Sequence, residues 1–173
     1  MKILIFLFII VLSLTGKAQT KTEYKRFIVG GHVVNRNIRG YNYLYIYPRL
    51  SFEYNVSKTS SFEFLAEYIN HKPTGTQVIS YPLSVGYKLN ILPWFIKNDE
   101  FTDKLKIYNS FRYTLLLSPE DANSAFSNLR VFHYFRYAPG IDFFFNKNWG
   151  VNYEMVFGEN MKTTMALGVK FRF

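Results

Sequence analysis

The strongest constraint on this chain is a period of two. Leu44, Ile46, Pro48, Leu50, Phe52 and Tyr54 are apolar, while Arg49, Ser51 and Glu53 fall between them. Phe62, Phe64, Ala66 and Tyr68 alternate with Ser61, Glu63, Leu65 and Glu67. Ile79, Tyr81, Leu83, Val85, Tyr87 and Leu89 alternate with Ser80, Pro82, Ser84, Gly86 and Lys88. Successive side chains of a strand point to opposite faces, so each run reads as a strand with one apolar and one polar side.

The pattern continues to the end of the chain. Leu105, Ile107, Phe111, Tyr113 and Leu115 alternate with Lys106, Tyr108, Ser110, Arg112 and Thr114, with Asn109 alone out of place on the apolar side. A longer run carries Leu129, Val131, His133, Phe135, Tyr137, Ile141 and Phe143 against Arg130, Tyr134, Arg136 and Asp142. Val151, Tyr153, Met155 and Phe157 follow, against Asn152 and Glu154, and a final run ends on Phe173. A weaker first segment near Tyr24 to Val34, blurred by Gly30 and Gly31, brings the expected count to eight. No segment shows a helical period. The stretch Ile91 to Asp103 is too apolar for a plain turn and reads as an interfacial anchor through Trp94 and Phe95.

The first residues belong to something else. Lys2 precedes the apolar run Ile3 to Leu12, and Gly16-Lys17-Ala18 offers small residues where a signal peptidase reads. The run is too short for a spanning helix, which needs about 20 apolar residues. Residues 1–18 are therefore expected to be a secretory signal peptide, and 19–173 one β-barrel domain. Removing Lys2 and Lys17 from 21 basic residues against 12 acidic leaves a net charge of +7. Export makes nucleic acid an unsuitable counter-charge, and anionic lipid head groups a natural one. With no cysteine, the exported chain has no disulfide framework, so packing or a membrane must hold it.

Alternation alone leaves open which face meets solvent. A secreted lipocalin-like barrel puts its apolar face inside, and a membrane barrel puts it outside. Volume favours the second arrangement, because about forty mostly large apolar side chains exceed an eight-stranded interior that side chains just fill. The polar faces fit that interior better. They carry Arg49, Glu53, Glu63, Glu67, Lys88, Arg112, Arg136, Asp142, Glu154, Lys170 and Arg172, a set with nearly balanced charges. Buried charges must pair, so this set is expected to form a network that plugs the lumen.

On these residues the chain resembles the small eight-stranded outer-membrane β-barrels, the class of the OmpA membrane domain and OmpX. The resemblance implies an all-β, antiparallel, up-and-down transmembrane barrel in the outer membrane of a diderm bacterium, reached by Sec export. It implies that Met165, Leu167, Val169, Phe171 and Phe173 form the signal read by the outer-membrane assembly machinery. The expected partners are outer-membrane lipids and lipopolysaccharide, with no nucleic acid, and the expected state is a monomer. Arg36, Arg39, His71 and Lys72, on the expected outer loops, are candidates to contact lipid phosphates.

A structural or surface-interaction role is expected rather than a general porin, because open channels need about 16 strands. The alternative within the same class is a lipid A deacylase, with His and Ser two residues apart on a strand. Here His133 is followed at that spacing by Phe135, so the nucleophile is missing and no catalytic residue is assigned. His32, His71 and His133 lie on separate segments without metal-ligand spacing, and no cofactor motif is present. Glu63 and Glu67, about 13 Å apart on one strand face, are too far separated for a two-carboxylate glycosidase site.

Overall fold

A computed structural model describes residues 27–37, 44–71, 78–119, 129–158 and 163–173. The expected leader over residues 1–18, together with Arg39 and Lys72, lies outside the described residues. The strands are β1 (Phe27–Asn37), β2 (Leu44–Asn55), β3 (Ser60–Glu67), β4 (Ile69–His71), β5 (Val78–Asn90), β6 (Leu105–Pro119), β7 (Leu129–Phe144), β8 (Trp149–Gly158) and β9 (Thr164–Arg172). Each is antiparallel to its neighbours. β1 pairs with both β2 and β9, which closes the sheet into a ring.

Nine strands make eight staves, because β3 and β4 are one stave interrupted at Tyr68. The register against β5 is the same on both sides of the break, from Ala66↔Leu83 to Ile69↔Ser80, which sets Glu67 opposite Pro82. Proline has no N–H to donate, so one rung of the ladder is missing there. The Tyr68 N–H still donates to Pro48 O at 3.2 Å on the other side. A second proline has a parallel effect: the β7–β8 ladder skips Ala138 and Pro139.

Facing follows parity around the ring. In β9, Thr164, Ala166, Gly168, Lys170 and Arg172 are buried, while Met165, Val169 and Leu167, the last 65% exposed, point outward. β1, ambiguous in sequence, turns Ile28, Gly30, His32 and Val34 inward. Gly168 has a steric reason to be glycine: a Cβ there would lie 2.2 Å from His32 Nδ1. Asn109 stays on the apolar outer wall, where the Tyr137 hydroxyl from β7 donates to its Oδ1. That contact satisfies the one polar side chain that breaks the outward pattern of β6.

The structure corrects one sequence expectation. Arg36 and His71 belong to strand ends, opposite Thr164 and Val78, rather than to loops. Two short helices occur where the sequence shows no helical period. The β5–β6 connection holds α1 (Leu92–Phe95) and α2 (Asp99–Lys104), each too short to show a period in sequence. Pro93 in the first turn suits α1, and the Asn98 side chain caps α2 by accepting from the Phe101 N–H at 3.1 Å. Phe144, given no facing in sequence, is fully buried at the lumen floor.

Candidate functional site: the ion-paired lumen

The inward faces converge on a packed polar interior. Cross-strand register alone would make it repulsive, since Glu53 lies opposite Glu63 and Arg112 opposite Arg136. Long side chains resolve this by reaching across the barrel. Arg112 Nε donates to Glu63 Oε1 at 2.6 Å, and its terminal nitrogens bind both oxygens of Glu154. Arg136 Nη1 instead reaches Glu67, 3.0 Å from each oxygen. Arg49 Nη1 completes this tier at 2.7 Å from Glu154 Oε1 and 4.0 Å from Glu67. Three guanidinium groups and three carboxylates thus neutralise one another, Arg112 and Glu154 in fork geometry.

A second tier is built from lysines. Lys88 Nζ lies 2.7 Å from Glu53 and 3.4 Å from Glu63, between the two facing carboxylates. Lys170 Nζ bridges Glu53 at 3.2 Å and Asp142 at 2.8 Å. Tyr108 joins the tiers: its hydroxyl donates to Glu154 at 3.1 Å and accepts from Asn152 Nδ2 at 2.7 Å. Lys88 also lies over its ring, 4.2 Å from the centroid. Gly140 leaves room for that ring, since a Cβ there would lie 2.4 Å from the hydroxyl oxygen.

The floor is closed by the β5–β6 connection. Arg172 donates to the Asp103 carboxylate at 3.0 Å and to Lys147 O at 2.7 Å, with its guanidinium over the Phe144 ring. Lys58 in the β2–β3 turn pairs with Asp99 at 3.0 Å. Lys104, hydrogen-bonded to Glu100 at 2.7 Å, holds that exposed carboxyl below its usual value.

All eleven charged residues assigned to the lumen in sequence are buried there, from Asp142 at 0% to Arg136 at 8% exposed. Sequence reasoning left out Lys106, His32, Tyr108 and Asn152, which share the same interior. The parity of β6 and β8 was signal enough for three of them, whereas the glycines around His32 masked it. Lys106 Nζ donates to Asn55 Oδ1 at 3.3 Å. His32 Nε2 lies 2.8 Å from Ser51 Oγ.

The structure separates the residues a deacylase would need to bring together. His133 is on the outer face beside Tyr113 and Phe135, and Glu154 is inside the barrel. Among the described residues no group of three or more metal-ligating side chains forms. Arg36 and His71 fall at the rim opposite the helical floor, at the ends of β1 and β4.

A closed ring of eight antiparallel staves, polar within and apolar without, is the fold of the small outer-membrane β-barrels. Neisserial surface protein A has this fold, with a TM-score of 0.63 at 13% identity, over 85% of this chain and 96% of that one. The outer membrane protein Ail of Yersinia pestis, in a phospholipid bilayer nanodisc, gives 0.57 at 13% identity, over 87% and 100%. The N-terminal β-barrel domain of Pseudomonas aeruginosa OprF gives 0.53 at 13% identity, over 84% and 97%. No protein-family model and no curated protein sequence matches the chain.

Proposed function

We propose that this protein is an integral outer-membrane barrel whose lumen is a structural plug. Its biological role would then lie in the surface it presents to lipids and external partners. The observation that carries this reading is the inversion of burial. Arg112 and Glu154 are 2% and 1% exposed inside, while Phe135 is 77% exposed outside. In water such a wall would be a severe aggregation liability; in a bilayer it meets its solvent. A lumen filled by paired charges offers solutes no open aqueous path, which argues against a general porin.

The short turns at residues 56–59 and 145–148 and the helical floor share one end, which suits the periplasmic side. The opposite rim, carrying Arg36 and His71 with Arg39 and Lys72 next along the chain, would meet lipopolysaccharide phosphates. The protein acts without enzymatic chemistry in this reading, as a monomer delivered by Sec export and the outer-membrane assembly machinery.

The test is expression in a diderm host, followed by membrane fractionation and planar-bilayer recording. Recovery in the outer-membrane fraction, heat-modifiable gel migration and no steady porin-size conductance are expected. Recovery as a detergent-free soluble protein would overturn the membrane reading. A large persistent conductance would overturn the plug.

A further inference from the structure

The β5–β6 connection presents an apolar surface that the barrel does not use. Leu92 and Thr102 pack inward, and the Arg172–Asp103 and Lys58–Asp99 pairs tie the segment to β9 and the β2–β3 turn. Trp94 at 61%, Phe95 at 78%, Ile96 and Phe101 are nevertheless exposed. Four large apolar side chains are thus exposed between positions 94 and 101, unlike isolated exposed residues, which need no explanation.

Two observations identify what covers it. The first is the shared end of the barrel, where the outer wall is aromatic. At this same end Trp149 packs on Phe171 at 4.8 Å, and Phe27 stacks on Phe173 at 6.0 Å, forming an aromatic rim. The second is charge. Each carboxylate of the segment is already matched: Asp99 by Lys58, Glu100 by Lys104 and Asp103 by Arg172. Lys97 on the segment, and Lys147 held beside it through Arg172, have no ion-pair partner among the described residues. Exposed aromatic rings flanked by spare ammonium groups suit an anionic lipid surface.

We propose that this segment is a lipid anchor, in which Trp94, Phe95 and Phe101 enter the headgroup region of the phospholipid leaflet on the short-turn side. Lys97 and Lys147 lie against the lipid phosphates. The helices, of four and six residues, lie in the interface plane and do not cross it. The inference rests on the membrane reading above, and it assigns that side of the protein a second, peripheral contact with the bilayer.

The chain has two tryptophans, which makes the test selective. W149F leaves Trp94 as the reporter, and W94F leaves Trp149 on the barrel wall. Each variant is reconstituted in vesicles containing an anionic phospholipid, and its fold is checked by heat-modifiable migration. Lipids brominated high on the acyl chain should quench about half or more of the Trp94 emission, as expected for an interfacial indole. If Trp149 is quenched while Trp94 stays open to acrylamide, the anchor is refuted and the membrane reading stands. If Trp94 is shielded from both quenchers, a protein covers the patch and the anchor is equally refuted. If neither tryptophan is quenched by brominated lipid, the membrane reading falls and the anchor falls with it.

Discussion

Replacing Glu154 by Gln removes one charge from the centre of the barrel while keeping the shape of the side chain. The carboxylate accepts from Arg49 Nη1 and Arg112 Nη1, each at 2.7 Å, from Arg112 Nη2, and from the Tyr108 hydroxyl at 3.1 Å. Without it Arg112 retains Glu63, but Arg49 is left with Glu67 at 4.0 Å. The amide also turns a donor toward a guanidinium that can only donate. Breaking a buried ion pair from one side costs about 3–5 kcal/mol, because a charge stays buried without compensation. With a urea slope of roughly 2 kcal/mol/M, the unfolding midpoint should fall by about 2 M. The measurement is urea unfolding in vesicles, followed by tryptophan emission and by loss of the heat-modifiable band. Adding Arg49→Met should recover part of the loss, since the uncompensated charge goes with it; a double-variant cycle measures that coupling. An unchanged midpoint and slope for Glu154→Gln would mean that water solvates these charges, and the plugged-lumen argument would fail.

Other sites give independent checks. Leu167→Arg on the outer wall should cost about 2–4 kcal/mol at mid-membrane depth, read as a lowered unfolding midpoint in vesicles. Gly140→Ala forces a Cβ to 2.4 Å from the Tyr108 hydroxyl oxygen and 2.8 Å from Tyr153 O. It should destabilise by about 1–3 kcal/mol in the same assay, through overpacking. Arg172→Ala removes the bonds holding Asp103 and should loosen the helical floor, seen as faster amide exchange over residues 91–104 with barrel strands unchanged.

Much of this fold was legible because a strand's facing is local. Parity assigns Glu53, Glu63 and Lys88 to one side of the wall without knowledge of their partners, and the large apolar volume decides which side is inside. β1 and β9 meet as expected, since a closed ring leaves no other partner for either. Less legible were features whose cause lies across the barrel. The split between β3 and β4 comes from Pro82, a residue of the neighbouring strand. The two short helices depend on capping and on anchors as remote as Arg172. His32 lies inside because Gly168 on β9 yields room for its ring.

By itself, then, the sequence determined the eight-stave architecture, its inverted polarity and all of the buried charge but Lys106 and His32. These follow from a two-residue period and from volumes that add along the chain. Only the tertiary structure decided which charge meets which. Glu154 binds guanidinium groups 42 and 105 residues away, and Arg136 reaches a carboxylate 69 residues away. Such pairings depend on the stagger between staves and on how far each side chain extends across the lumen, quantities that the ring sets jointly and no single strand encodes.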